Sequence, residues 1–416
     1  YVVKNKLFRN TSRQKCTNCL SKFIFSSMHF FFFTLNISIT TSHTTRYNSN
    51  LLNNIIIFKF PDLSGGVIVN IHHIISDSWT LGLIAKEIVN NYYCLYNNIP
   101  IESNQYSYID YINSEEKYID SNKYLKDKQF WKDYLKDCPN CITIPNNKEI
   151  SNNDFSSLGN RKMIKLENKY IKKINEFCHN YNISLFSFLM AIYSIYIGKI
   201  NNSDDFILGT PILNRVNSAQ KNTMGMFINT IPFRVKIEDN YSFLAFLNNI
   251  ALNFTSILRH QKHSYQFILE DLRKEDPKTP NLYQILLSYQ ITKIKTDDNM
   301  KYSSEWNFNG NVADDIDIHF FDLNDSGDIN IAYDYKISKY TDTDISNIHS
   351  RILYIISQVL NNPSMFIKEI SITTPKELQE ILSFNNIDKK RRCKSSFFVN
   401  KLHSLFNWEK LMKITL

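Results

Sequence analysis

The stretch from Val67 to Thr80, Val-Ile-Val-Asn-Ile-His-His-Ile-Ile-Ser-Asp-Ser-Trp-Thr, constrains the fold more than any other. Its first half is β-branched and alternating. That places Val67, Val69, Ile71 and His73 on one face of a strand and Ile68, Asn70, His72 and Ile74 on the other. Only one histidine of the pair is therefore available to any one cleft. Beyond Ser76, Asp77 and Ser78, which supply helix-capping chemistry, the period changes. Leu81, Ile84, Ile88, Tyr92 and Leu95 recur as a helical stripe. A strand that turns directly into a helix delivers a histidine and an aspartate side by side. Each alone reads as a satisfied core residue or a cap; two adjacent histidines, three spacers, Asp, one residue and Trp form a much rarer string.

Around this stretch the chain alternates between the two periods. Leu51 to Phe60 is an apolar strand, and Pro61 to Gly66 is a turn that makes it a hairpin with the histidine strand. Phe23 to Thr41 holds four consecutive phenylalanines. Ser26, Ser27, His29 and Asn36 interrupt it short of the roughly 18 apolar residues a membrane span needs, so it reads as a buried strand or as a damaged stretch of the coding sequence. The rest of residues 1–50 shows no sustained period and is left unassigned. Tyr106 to Leu135 is helical with aromatic anchors, and the polar Asn140 to Asn160, with Pro145, reads as a crossing between lobes. A second α/β unit follows. It has helices at Lys169 to His179 and from Ser184 onward, a strand at Asp205 to Arg215 interrupted at Gly209 and Pro211, and a strand at Met224 to Ile237 whose Pro232 argues for an edge. Near the end, Thr374 caps a helix with Pro375 in first position.

At 416 residues the chain has room for more than one lobe. Its net charge of +8 is spread thinly, and the tightest basic run, Lys389 to Arg392, reads as a solvated tail and not as a nucleic-acid surface. With only 9 glycines, asparagine is the expected stand-in wherever the backbone takes positive φ. Seven cysteines, an odd number, fit reduced thiols in a cytoplasmic protein. Cys16 with Cys19 and Cys138 with Cys141 each lack a nearby partner pair, so no metal centre is expected.

His72-His73-Ile74-Ile75-Ser76-Asp77-Ser78-Trp79-Thr80 resembles the HHxxxDGWS signature of condensation domains of nonribosomal peptide synthetases. Four further segments follow in the family's order: Tyr108-Ile109-Asp110-Tyr111, Gly209-Thr210-Pro211 with Asn214-Arg215, Met224 to Thr230 with Arg234, and His260 to Phe267, where the family's acidic position is displaced or lost. The resemblance implies an α/β fold of two chloramphenicol-acetyltransferase-like lobes forming a V-shaped pseudo-dimer. Only 71 residues precede the histidines, fewer than in the family, so the first lobe is expected to be partial. The implied division is 51–150 for the N-terminal lobe and 151–386 for the C-terminal lobe. Residues 387–416 would be a linker and the start of a truncated adenylation domain; a chain beginning at Tyr1 reads as a fragment.

By the same resemblance, the reaction joins a donor acyl or peptidyl thioester to the α-amine of an acceptor aminoacyl thioester. Both ride on the 4′-phosphopantetheine arms of carrier proteins, no cofactor is bound directly, and an adenylation domain is the neighbour. The catalytic role falls to His73, with His72 supporting. Asp77 is expected to pair with Arg215 as a strut, Trp79 and Ser78 to shape the turn, and Gly225, Asn229 and Thr230 to line the substrate channel. Ser78 replaces the family's glycine, and if that position needs positive φ it is strained and narrows the cleft. The competing readings are a CoA-dependent or ester-forming acyltransferase of the same superfamily, which the adenylation-like tail argues against, and an impaired module that only docks carriers.

Overall fold

A computed structural model describes residues 28–35, 52–59, 65–101, 105–146, 156–291, 302–322 and 329–385. The first part of the chain forms β1 (Met28–Leu35), β2 (Asn53–Lys59), β3 (Gly65–His72), α1 (Ser78–Tyr96), α2 (Tyr108–Ile119) and α3 (Asn122–Tyr134). It continues through β4 (Gly159–Leu166), α4 (Asn168–Tyr181), α5 (Leu185–Asn201), β5 (Asp205–Ile212), α6 (Ser218–Asn222) and β6 (Asn229–Lys236). Then come α7 (Phe243–Leu258), α8 (Tyr265–Glu275), β7 (Ile285–Ile291), β8 (Tyr302–Asn307), β9 (Ile316–Asp322), β10 (Ile329–Lys336), α9 (Asp342–Asn361) and α10 (Pro375–Asn385). The Cys16 and Cys19 pair, the Pro61 to Ser64 turn, the basic run and the 387–416 linker lie outside the described residues.

Two sheets carry the fold, one of four strands in the order β2-β3-β1-β8 and one of six in the order β4-β10-β9-β7-β5-β6. In the first, every neighbouring pair is antiparallel, and the expected hairpin is present with Ile57 opposite Val67 and Ile55 opposite Val69. The phenylalanine run, placed in a stretch otherwise left unassigned, is the interior strand β1. Both halves of the chain contribute to each layer. β8, from the later half, closes the four-stranded sheet against β1, while Trp131, Leu135 and Ile144, from the earlier half, sit in the core of the six-stranded sheet.

α1 lays Leu81, Ala85 and Val89 on Val67, Val69 and Ile71, a small core formed by i, i+4, i+8 spacing on alternating strand positions. The expected stripe runs past this contact, and Leu95 is 66% exposed. Ile55 and Ile57 share the sheet face that α1 covers, yet lie one strand too far for the helix to reach and are about half exposed.

The larger core is built on the six-stranded sheet. α5, capped by Ser184, buries twelve consecutive residues from Ser187 to Gly198, and α4, α7 and α9 lie against it. On β9, Ile316, Ile318 and Phe320 are fully buried, alternating with Asp317 and His319 on the opposite face. β6 with Pro232 is an edge strand as expected. β5 is a continuous strand through Gly209 and Pro211, a correction to the interruption read from its sequence. Among the described residues, four of the five non-glycine positions with positive φ are asparagines (Asn98, Asn182, Asn202 and Asn214), in line with the shortage of glycine.

Inside this core the Tyr193 and Tyr333 hydroxyls lie 2.6 Å apart, and Tyr333 Oη is 3.0 Å from His349 Nδ1. Burial lowers the His349 pKa from 6.5 to about 4. The unfolded chain therefore takes up a proton that the folded chain refuses, so this stability is present above pH 6.5 and drains away as pH falls toward 4. The loss amounts to roughly 3 kcal/mol. His349→Phe is expected to lower stability at pH 7 but to shrink its decline between pH 7 and pH 5; urea midpoints at the two pH values measure this.

Candidate active site at the junction of the two sheets

β3 ends at His72, and the turn His73-Ile74-Ile75 leads into α1. His72 is buried, and its Nδ1 accepts the Ile74 backbone N–H at 3.1 Å, so the ring pins the turn from inside. That bond leaves the proton on Nε2. His73 is half-buried and lies in the turn itself. Of the adjacent pair it is the one with a solvent-facing surface.

Four residues on, Asp77 caps α1. Its Oδ1 accepts the Thr80 N–H at 2.8 Å, and its backbone is extended. The same carboxylate meets Arg215 in a two-point pair, with Nη1 2.6 Å from Oδ2 and Nη2 3.1 Å from Oδ1, both side chains wholly buried. Oδ2 also accepts the backbone N–H groups of Phe227 and Ile228 at 3.0 and 3.3 Å. Every lone pair direction of the carboxylate is occupied, which is what makes a buried charge tolerable. Arg215 is equally spent: Nε donates to the Gln220 carbonyl, Nη2 donates to Thr80 Oγ1 and the Gly225 carbonyl, and the guanidinium lies 4.0 Å from the Phe227 ring centre. Asn214, at φ 50°, supplies the left-handed turn before Arg215 and donates its amide to the Phe227 carbonyl. The histidine turn of the four-stranded sheet is thus bolted to the β5 and β6 ends of the six-stranded one.

Around the bolt the other expected residues take distinct places. Trp79 Nε1 donates to the Lys221 carbonyl at 2.8 Å, a second tie from α1 to α6. Ser78 is the first residue of α1 and is absent from the positive-φ positions, so the anticipated strain does not arise. Ser78→Gly is accordingly expected to restore nothing and to lower stability by up to about 1 kcal/mol through backbone entropy, read from thermal unfolding alongside turnover. Gly225, expected to line a channel, is packed inside the bolt. Its N–H donates to Thr80 Oγ1, its carbonyl accepts from Thr80, and at φ 151° a Cβ would fall 2.1 Å from the Tyr108 ring. Asn229 is a connector too: its amide donates to the carbonyls of Gln261 and His263 and its oxygen accepts the Tyr265 N–H. Thr230 bonds the Tyr283 hydroxyl.

Four contributors went unassigned in the sequence reading: Thr80, Phe227, Tyr108 and Tyr111. Tyr108 donates to the Met226 carbonyl at 2.6 Å, and both tyrosine rings pack on Phe227 at 5.4 and 4.1 Å. Burial, with the Asp77 charge nearby, pushes the Tyr108 hydroxyl up to about 12, so it stays a neutral donor. The YxDY segment carried a visible signal for the tyrosines. Nothing local distinguishes Phe227, whose role depends on a partner twelve residues away. Among the described residues no group of three or more His, Cys, Asp or Glu is placed to hold a metal ion, and no single helix is long and apolar enough to cross a membrane.

The condensation-domain family model matches residues 37–382. Surfactin synthase subunit 1 of Bacillus subtilis (strain 168) is 26% identical over 316 residues, covering 76% of this chain and 9% of that protein. A dimodular nonribosomal peptide synthase of the same organism is 26% identical over 318 residues, covering 75% and 13%. The chain therefore spans only about a tenth of these relatives. Among solved structures, the starter condensation domain of rhizomide synthetase superimposes with a TM-score of 0.71 at 14% identity, covering 86% of this chain and 96% of that one. The first condensation domain of the calcium-dependent antibiotic synthetase gives 0.69 at 12% identity, covering 87% and 98%. At such identities the superpositions establish the fold.

Proposed function

Since the chain belongs to the condensation-domain family, we propose that it forms an amide bond between a donor acyl or peptidyl thioester and the α-amine of an acceptor aminoacyl thioester, with His73 as the base. The observation that carries this reading is the bolt between Asp77 and Arg215, which holds the half-buried His73 turn at the meeting of the two sheets. The amine attacks the thioester carbonyl, the C–N bond forms, and the C–S bond breaks to release the donor arm as a thiol. An α-amine has a pKa of about 8, so an appreciable fraction is already neutral at pH 7 and the base need only be of moderate strength. Imidazole meets that need and contributes about 10² to 10⁴ in rate, whereas holding two reactants in line supplies roughly 7 to 11 kcal/mol. Positioning dominates, which accords with a site whose best-built feature is a strut. His72, Asp77 and Arg215 act as positioning residues.

The substrates ride on the 4′-phosphopantetheine arms of two carrier proteins in the cytoplasm, beside an adenylation domain. A reading in which the module docks carriers without chemistry loses one of its grounds, because Ser78 is an unstrained helical residue. The test loads donor and acceptor on separate carrier proteins and follows dipeptidyl thioester. Product that depends on His73 supports the proposal. Carrier binding without product reduces the chain to a docking module, and turnover of free acyl-CoA moves it to the acyltransferases.

A further inference from the structure

Away from the bolt, α3 and α8 enclose a cavity of about 210 Å3. His263 lines it, fully buried, with neither ring nitrogen hydrogen-bonded. The rings of Tyr124 and Phe267, at 5.0 and 5.7 Å, hold the imidazole in place. Its Nε2 lies 3.9 Å from Asp271 Oδ2, which also has no hydrogen-bond partner; Asp271 Oδ1 takes Lys128 at 2.8 Å and Lys274 at 2.9 Å. A separation of 3.9 Å is too long for a hydrogen bond between the two groups, yet it is the span that one oxygen about 2.8 Å from each bridges. Burial lowers the His263 pKa, so near neutral pH the ring offers one N–H and one lone pair.

The remaining surroundings select the ligand. Trp131, whose Nε1 is spent on the His260 carbonyl, makes an apolar wall with Ile268 and Leu272. The mouth carries three lysines, including Lys132, against two carboxylates, which disfavours a cation. A hydroxyl donates to the carboxylate and accepts from the imidazole N–H, and a cavity of about 150 Å3 already admits a benzene ring. We propose that this cavity binds a small hydroxylated carboxylic acid, with its hydroxyl between His263 and Asp271 and its carboxylate toward the lysines at the mouth. His263 and Phe267 fall in a segment that resembles the family's, but none of these residues belongs to the His73 turn or the bolt, so the proposal does not rest on the condensation reading.

Calorimetric titration of the full chain with 4-hydroxyphenylacetate and with phenylacetate tests it. The hydroxylated acid is expected to bind, and the one lacking the hydroxyl about tenfold or more weakly, because its ring leaves two buried polar atoms unpaired. His263→Phe and Leu272→Trp, filling the cavity from opposite walls, are each expected to abolish binding while circular dichroism reports an intact fold; if one variant fails to fold, the other decides. Equal affinity for the two acids, binding that survives a folded cavity-filling variant, or no heat up to about 10 mM, as for a cavity that holds only water, overturns the proposal.

Discussion

Replacing Arg215 with alanine is expected to destabilise the protein by about 3 to 5 kcal/mol, because it leaves the Asp77 carboxylate charged, buried and without its counter-ion. Three backbone N–H groups remain on that carboxylate, which places the expectation toward the lower end of the range. The loss extends beyond the pair. Arg215 also gathers the carbonyls of Gln220 and Gly225 and the Thr80 hydroxyl, so the segment between β5 and β6 loses its centre. Urea unfolding measures the cost, and amide-bond formation should fall with it because the histidine turn loses its anchor. The double replacement Asp77→Leu with Arg215→Met should cost less than the sum of the two single changes, since it removes both charges together. A shift in stability under about 1 kcal/mol for Arg215→Ala would mean that the pair is not buried in solution.

His73→Ala is expected to act in the opposite register, lowering dipeptidyl thioester formation by about 10² to 10⁴ with the unfolding midpoint nearly unmoved. Its ring is half-buried in a turn, where truncation removes little packing. His72→Ala should do the reverse. Its ring is buried and accepts the Ile74 N–H, so stability falls by about 1 to 2 kcal/mol and turnover follows only as the turn loosens. Measuring both variants for rate and stability separates a base from a brace. If His73→Ala retained full turnover, the assignment of the base would fail.

Much of this was legible before any coordinates. The alternation of Val67, Val69 and Ile71 against the helical spacing that follows identified the strand, the turn and the helix, because side-chain period is a local property of the backbone. Ser184 and Thr374 announced helix starts for the same reason: a cap acts within three residues. The resemblance carried Arg215 to Asp77 across 138 positions, which no local rule reaches. Gly225 and Asn229, placed beside a channel by the resemblance, also tie the chain to itself. Their types, a glycine and an asparagine, suit a binding wall and a structural tie equally well.

From sequence alone came the change from strand to helix after His72, the capped helix starts and the position of the histidine turn, while β8, β9 and most of residues 1–50 went unread. The folded arrangement settled which sheet each strand joins. It set β8 beside β1, seated Trp131 in the six-stranded core, put Ser78 into a helix free of strain, and spent Gly225 on Thr80 and Tyr108. Buried polar contacts such as Asp77 with Arg215 and Thr80 with Gly225 join positions 138 and 145 apart, and their free energies exist only once the surfaces that carry them have met.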